Sequence, residues 1–492
     1  MKPFKLTEYK YQIKIIMNFV DALRQEDKVT ENGMVTNSSS LNACVDLFFN
    51  IGAMRGQDKQ RLIATFSKAF NEDPKRAMKL LFWARDVRGG AGERQVFKDI
   101  LVYLAENHDL ALKPNLHLIA EYGRWDDLLA LSGTYLENDA FELISLALKD
   151  ENGLAAKWMP RKGIIANKLR NFMSMSPKQY RKTLVNLTNV VETKMCAGDW
   201  DSIEFGKLPS VASARYQKAF WKNNTEGYEA YIQSLVKGEA KINAGAVYPY
   251  DITKSLNFGN AEVANEQWKA LPNYMEGAND MILPVVDVSG SMSCPAGGSK
   301  NVTCMDVAIS LGLYISERNE GAFKDAFITF SANPELQVVK GSLKDRYSQM
   351  SRSEWGMNTN LEATFKLILD QASKHNLSQD EMPNKILILS DMEFDSATRS
   401  GGWRNNNKEW NPTAQRMIEE MYEAAGYKMP QIVYWNIQSR NGGVPVSFDK
   451  QGTALVSGFS PAIMTSLLGG DIESPQQIMD KTILSERYAP IV

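Results

Sequence analysis

Met281-Ile282-Leu283-Pro284-Val285-Val286-Asp287-Val288-Ser289-Gly290-Ser291 is the stretch on which the reading of this chain turns. An apolar run, Met281 to Val286, ends on an aspartate, and two hydroxyls follow at alternate positions. Similar short apolar runs recur at Ala326 to Phe330, Lys385 to Leu389 and Gln431 to Ile437. Between them lie helical patterns at Met305 to Glu317, Leu361 to Ala372 and Thr413 to Ala424. Strands that alternate with helices predict a doubly wound parallel sheet covered on both faces. Pro284 conflicts with a central strand, because it has no N–H for the ladder. In such a sheet, ligands sit beyond the carboxyl ends of the strands, which is where Asp287, Ser289 and Ser291 fall. An aspartate with two hydroxyls is an oxygen-only set, suited to Mg²⁺ or another divalent cation. Thr359, in the turn Gly356 to Asn360, and Asp391, just after the run Ile386 to Leu389, supply two further oxygens in the order such a site needs. The plainer alternatives are a serine-rich turn with Asp391 as a helix cap, or an intact fold whose metal site is structural or idle.

Upstream the texture is helical. Asp73 reads as an N-cap with Pro74 in the first turn, and Ala77, Leu80, Leu81 and Ala84 follow at helical spacing. Gly89 and Gly90 end that helix. A second begins near Ala91, with Val96, Phe97, Ile100, Leu101 and Leu104 on one face. More helical patterns cover Leu116 to Tyr122, Trp125 to Leu131, Ala140 to Leu148 and Pro177 to Thr193. With no strand signal in this half, the expectation is an α + α/β protein. An all-helical domain of HEAT-like repeats over residues 1–275 precedes an α/β domain over 276–492, the boundary falling in Ala270 to Asp280.

Composition narrows the function. The chain has 492 residues, 44% apolar and 23% charged, with 56 Lys and Arg against 58 Asp and Glu, so no protein-wide positive field draws it to nucleic acid or membrane. Any basic site is local. Four cysteines without a CxxC pair fit a reducing, cytoplasmic compartment rather than a disulfide scaffold or structural zinc. The three histidines stand in no HExxH-like spacing, which removes most zinc hydrolases and makes a Ser-His-Asp triad a poor reading. The first twenty residues interleave Lys with short apolar runs and do not read as a secretory signal, and no stretch approaches the roughly 18 apolar residues of a membrane span.

Two segments concentrate positive charge. In Arg85-Asp86-Val87-Arg88-Gly89-Gly90-Ala91-Gly92-Glu93-Arg94 the glycines lie between helices and no GKS or GKT follows, so this is not a phosphate-binding P-loop. Arg85, Arg88 and Arg94 could still present guanidinium groups to phosphate, or pair internally with Asp86 and Glu93. Lys157 to Lys182 carries eight cations and no carboxylate: Lys157, Arg161, Lys162, Lys168, Arg170, Lys178, Arg181 and Lys182, interleaved with Trp158, Phe172 and Tyr180. Cations neutralise phosphates and aromatics stack on unpaired bases, a combination that suits single-stranded RNA. A solvated basic face over aromatic core residues gives the same pattern.

At Asp287, Ser289, Ser291, Thr359 and Asp391 the sequence resembles the von Willebrand factor A domain, whose metal-ion-dependent adhesion site has DxSxS, a threonine and an aspartate in three loops. Together with the segment 85–94, Gly123 to Leu129, Ala156 to Pro160 and Asn243 to Pro249, the whole order resembles the TROVE-plus-A-domain organisation of the Ro autoantigen and its bacterial and phage-borne relatives. That resemblance implies a noncatalytic ring of helical repeats that holds small noncoding RNAs, or the single-stranded ends of misfolded ones, beside a Mg²⁺-binding A domain. The competing expectation is a scaffold whose A domain grips a protein partner's carboxylate through Mg²⁺. A metal-dependent nuclease or phosphatase would want clustered carboxylates, for which Glu393 and Asp395 beside Asp391 are the candidates.

Overall fold

The computed structural model describes residues 26–256, 261–299, 301–330, 334–352, 359–396 and 412–492. The lysine-rich first twenty residues and Gly356 to Asn358 of the threonine turn lie outside the described residues.

The chain opens with a two-stranded antiparallel hairpin, β1 (Lys28–Val29) and β2 (Val35–Thr36). This corrects the expectation of an all-helical first half, since two-residue strands leave no periodicity to read. Helices follow: α1 (Ala43–Ile51), α2 (Lys59–Glu72), α3 (Pro74–Arg85), α4 (Arg94–Asn107), α5 (Glu137–Lys149), α6 (Gly153–Trp158), α7 (Ile164–Phe172) and α8 (Pro177–Leu187). Their starts are set by side-chain caps. Asn42 accepts from Val45 N, Asp73 accepts from Arg76 N just ahead of Pro74, and Ser176 and Gln179 cap α8 reciprocally. The segment from Lys113 to Leu131 is mostly 3₁₀ where regular helix is expected, and the helix expected over Pro177 to Thr193 breaks after Leu187. Helices α9 (Ser210–Asn223) and α10 (Thr225–Val236) build a small separate core around Phe205, Phe220, Tyr228 and Ile232. Two more, α11 (Pro249–Ser255) and α12 (Ala261–Lys269), lead to the sheet.

The second half is a six-stranded, mostly parallel sheet in the order β5-β4-β3-β6-β7-β8. Its strands are β3 (Ile282–Asp287), β4 (Ala326–Phe330), β5 (Glu335–Val338), β6 (Lys385–Ser390), β7 (Gln431–Asn436) and β8 (Thr453–Ser457). All residues of β3, β6 and β8 are buried, so both faces of the sheet are covered. Helices α13 (Cys304–Arg318), α14 (Leu361–His375), α15 (Ala414–Ala425) and α16 (Pro475–Ile483) belong to this half. Two expectations need correction. β5 runs antiparallel at the edge, and Pro284 does sit inside central β3. The proline pairs in register with Leu387 of β6, whereas the paired register with β4 begins only at Val285↔Ile328. At Pro284 the strand therefore has a partner on one side, a local edge that tolerates a missing donor.

One continuous apolar core, from Met34 to Ile491, runs through both halves. α1 packs on β8, with Ser457 Oγ donating to Phe48 O at 2.7 Å and Gly52 N–H donating to Ser457 Oγ at 3.0 Å. A Cβ at Gly52 would lie 2.5 Å from Ser457 O, so the close approach requires glycine there. The last residues return to the helices: Arg76 pairs with Asp480 at 2.8 Å, Arg487 with Asp86, and Asn115 Nδ2 donates to Val492 O at 2.7 Å.

Candidate functional site

From β3 the chain crosses to β4 on one side, and β6 lies on the other, so the strand order reverses between β3 and β6. Loops at such a reversal splay apart and leave a crevice at the carboxyl ends of the strands. Asp287 ends β3 and Asp391 follows β6, which puts both carboxylates at that crevice. The two loops are tied down by their own backbones: Ser289 N–H donates to Asp287 Oδ1 at 2.9 Å and Glu393 N–H to Asp391 Oδ1 at 3.3 Å. Met392 sits in the left-handed region, φ 65°, a conformation that a side chain of its size adopts at a cost and that turns the chain sharply after Asp391.

Asp287, Ser289, Ser291 and Asp391 lie at the ends of β3 and β6, and Thr359 is joined to the same loops through Asn32 and Asp395. Ser289 Oγ and Ser291 Oγ lie 3.0 Å apart. Thr359 is fully buried, its Oγ1 3.4 Å from Asn32 Nδ2 and its carbonyl accepting from Asp395 N at 3.0 Å. Asp391 Oδ2 is buried and has no hydrogen-bond partner among the described residues. Burial and the charge of Asp391 push the Asp287 carboxyl up to about 7, against hydrogen bonds from Ser289 and Ser390. Burial raises Asp391 as well, opposed chiefly by Arg440. Among the described residues no group of three or more His, Cys, Asp or Glu is placed to hold a metal, so an ion here would depend on two carboxylates and neutral hydroxyls. Glu393 accepts from Glu31 N at 2.6 Å.

Sequence reasoning missed four neighbours. Ser390 donates to Asp287 Oδ2 at 2.6 Å. Arg440, beyond β7, lies 3.5 Å from Asp391 Oδ2 and donates to the Ser291 carbonyl. Glu31 and Asn32, in the turn of the β1–β2 hairpin, reach over the crevice, with Glu31 3.5 Å from Arg440 and Asn32 Nδ2 2.6 Å from Glu393 O. Separations of hundreds of residues carry no local pattern, and Ser390 alone, next to Asp391, was within reach of a motif reading.

The predicted cations have mixed fates. Arg85 is a correction: it is 4% exposed and bonded to buried Asp127 at 2.7 Å, so it presents nothing to phosphate. Its place on the inward face of α3 decides this. Arg88 is exposed, and Arg94 is exposed but held by Asp126 at 2.6 Å. In the long run, Arg161, Lys162, Lys168, Lys178, Arg181 and Lys182 are exposed on and around α7 and α8, while Lys157 and Arg170 are half-buried. Lys168 pairs with Glu137 at 2.7 Å. The interleaved aromatics are less free than their spacing suggests. Tyr180 is 2% exposed, its hydroxyl bonded to Pro160 O at 3.1 Å, and the guanidinium of Arg124 lies 3.4 Å over the Trp158 ring. Phe172 remains exposed, edge-on to Phe141. A further cleft of about 750 Å³ is bordered by Arg55, Arg94, Lys98, Arg215, Tyr248 and Tyr250. Its residues come from four separate segments, which is why only Arg94 was legible.

A family model described as Domain of unknown function (DUF2828) matches residues 30–157 and 160–280, and one described as Domain of unknown function (DUF7788) matches 281–487. The uncharacterized protein L728 of Acanthamoeba polyphaga mimivirus is 30% identical over an alignment of 512 residues, which covers 92% of this chain and 86% of that protein. These matches overturn the expected membership of the Ro family. The helical half matches DUF2828, a family distinct from TROVE, and the α/β half matches DUF7788. The short motifs behind the resemblance, a metal-loop pattern, a glycine turn and the segments Gly123 to Leu129, Ala156 to Pro160 and Asn243 to Pro249, are brief enough for local chemistry to set them without kinship.

Proposed function

This chain belongs to the DUF2828 family, with a DUF7788 region as its second half, and from that premise we propose a noncatalytic binding protein whose α/β half holds a divalent cation. Asp287, Ser289, Ser291, Thr359 and Asp391 would hold it, and Mg²⁺ suits them best, because it accepts a few protein oxygens and keeps waters for the rest of its shell. The observation that carries this reading is Asp391 Oδ2, a buried carboxylate oxygen with no hydrogen-bond partner among the described residues, in charge repulsion with a second buried carboxylate, Asp287. Burying two like charges is costly unless something neutralises them, and Arg440 lies to one side at 3.5 Å. A bound cation leaves coordination positions open for an oxygen anion, so the ligand class is a carboxylate from a protein partner. Four free cysteines suit a cytoplasmic setting, and among the described residues no helix is long and apolar enough to cross a membrane. Calorimetric titration of Mg²⁺ into wild type, Asp287→Ala and Asp391→Ala tests the site. Binding is expected in the first and absent in both variants; variants that bind like wild type refute it.

A second reading is single-stranded RNA binding by the helical half, favoured by the exposed cations from Arg161 to Lys182 with no acidic residue among them. Phosphate contacts from such a face do not need the metal. Pull-downs with wild type and Asp287→Ala, with and without ribonuclease, separate the two. Partners that disappear on ribonuclease treatment alone support RNA; partners that disappear with Asp287→Ala alone support the cation.

A further inference from the structure

Cys294 and Cys304 face each other across a short antiparallel pairing that leaves the Ser291 turn. Pro295 bridges to Thr303, Ala296 N–H donates to Val302 O at 2.8 Å, and Cys304 N–H donates to Cys294 O at 3.0 Å. That register makes the two cysteines direct cross-strand partners. Side chains in such pairs have Cβ atoms about 4.5–5.5 Å apart, close to the roughly 3.5–4.5 Å of a disulfide. Their sulfurs are already 3.4 Å apart, with the Cys294 thiol donating to Cys304, whose own thiol donates to Gln438 Oε1 at 3.6 Å. Since an S–S bond is about 2.0 Å long, closure by roughly 1.4 Å completes it, a change that side-chain rotation and slight loop movement can supply. The two differ in access: Cys294 is half-buried and Cys304 fully buried, at the first position of α13. Arg440 ties the pair to the crevice, because its guanidinium donates to the Ser291 carbonyl, which also accepts from Cys294 N at 3.3 Å, and lies 3.5 Å from Asp391.

We propose that Cys294 and Cys304 are a dithiol that a hydroperoxide converts to an intramolecular disulfide, and that this oxidation weakens cation binding at the neighbouring crevice. Cys294, the sulfur that solvent reaches, attacks the terminal peroxide oxygen as its thiolate. The O–O bond breaks, Cys294 becomes a sulfenic acid, and the departing alkoxide, or hydroxide from hydrogen peroxide, takes up a proton. Cys304 then loses its proton and attacks the Cys294 sulfur; the S–S bond forms, the S–O bond breaks and water leaves. In sum, two thiols give up two electrons and two protons, and the hydroperoxide is reduced to an alcohol, or water, plus one water. A dithiol reductant reverses the change. Closing the S–S bond pulls on Cys294, whose N–H holds the Ser291 carbonyl that Arg440 also binds, so the Ser291 turn and the guanidinium beside Asp391 shift together against the cation.

The second half of the proposal rests on the cation reading above; the first does not. The test treats the reduced full-length chain with hydrogen peroxide, without Mg²⁺, and maps thiols by peptide mass spectrometry. Exposed Cys196 serves as the internal reference. The expected product is a Cys294–Cys304 linked peptide two mass units lighter than the dithiol, formed before Cys196 is consumed and reversed by dithiothreitol. In Cys304→Ser, dimedone should trap a sulfenic acid at Cys294, and in Cys294→Ser the buried Cys304 should stay reduced. Linkage that never forms, or Cys294 oxidising no faster than Cys196, overturns the disulfide. Calorimetry with Mg²⁺ on the reduced and oxidised protein should give a loss of about tenfold or more, the scale of losing an outer-sphere partner of a metal site. Equal affinities overturn the coupling, whereas a reduced protein that binds no Mg²⁺ refutes the cation reading and leaves the disulfide to be decided by the mass spectrum.

Discussion

The crevice between β3 and β6 and the basic surface of α7 and α8 both announce themselves in the sequence by charge, and the fold treats the two charges oppositely. At the crevice, two carboxylates are buried, and one of their oxygens has no hydrogen-bond partner among the described residues. On and around the helices, six cations are exposed to solvent, with Lys168 also paired to Glu137. A buried charge without a full set of partners demands a neutralising group, because desolvation is not otherwise recovered; an exposed charge demands nothing. The helical half also contains the intermediate case. Arg55 holds Glu93, which is completely buried, through two hydrogen bonds of 2.8 Å.

That intermediate case supplies the largest expected effect. Arg55→Ala leaves Glu93 buried and unpaired, which should cost about 3–5 kcal/mol in urea denaturation, and replacing both partners by apolar residues should recover much of the loss. A cost below about 1 kcal/mol would mean that buried charge is cheap in this protein, and Asp391 would then need no cation to neutralise it.

The crevice itself comes next. Without Mg²⁺, Asp391→Asn should unfold at a higher temperature than wild type, because it removes one of two buried like charges. With Mg²⁺ at about a hundred times its dissociation constant, wild type should gain roughly 2.7 kcal/mol and overtake the variant, which should gain nothing. A wild type indifferent to Mg²⁺ would return the two carboxylates to a purely structural role, held by Ser390 and Arg440.

Why one region was legible and the other was not follows from distance along the chain. Asp287, Ser289 and Ser291 lie within five residues at a strand end, and Thr359 and Asp391 each follow a local signal, so the site needed only the general rule about strand ends. The sheet was legible for the same reason: runs such as Ile386 to Leu389, all fully buried, can hardly be anything else. The hairpin β1–β2 was not, since two-residue strands are fixed by long-range contacts such as Thr30 Oγ1 with Phe394 O at 2.7 Å. Nor were Arg440, Glu31 and Asn32, which reach the crevice from loops. The aromatic interleaving misled because helical spacing does not tell which face turns inward; Tyr180 and Arg85 both face the core.

On the basic surface the effects should be smaller. Reversing Arg161, Lys162, Lys168 and Arg170 to Glu should leave stability nearly unchanged, since the ion pair it removes, Lys168 with Glu137, is half exposed and worth about 0–1 kcal/mol. If this face holds single-stranded RNA, affinity in filter binding should fall at least about tenfold, and the slope of log affinity against log salt should lessen by roughly 0.7 for each phosphate that the variant no longer neutralises. Unchanged affinity and slope in a folded variant would confine any RNA binding to another surface.

The smallest effect separates exposed from buried charge within one cluster. Asp126 receives Arg94 at 2.6 Å and Arg124 at 2.5 Å, with Lys98 at 3.7 Å. Burial alone would raise its carboxyl, but the hydrogen bond from Arg124 and the charges of Lys98, Arg124 and Arg94 outweigh it and hold it below the usual value of 3.8. A carboxyl that binds its proton less readily in the folded state contributes stability that is present above its unfolded value and disappears as pH falls through the folded one. Wild type should therefore exceed Asp126→Asn in urea midpoint at about pH 6, and the gap should narrow steadily below about pH 4, where the folded carboxyl takes up its proton. A gap that stays constant down to about pH 3 would mean that Asp126 acts through shape and neutral hydrogen bonds, and that the cations around it are as uncommitted as those on α7 and α8.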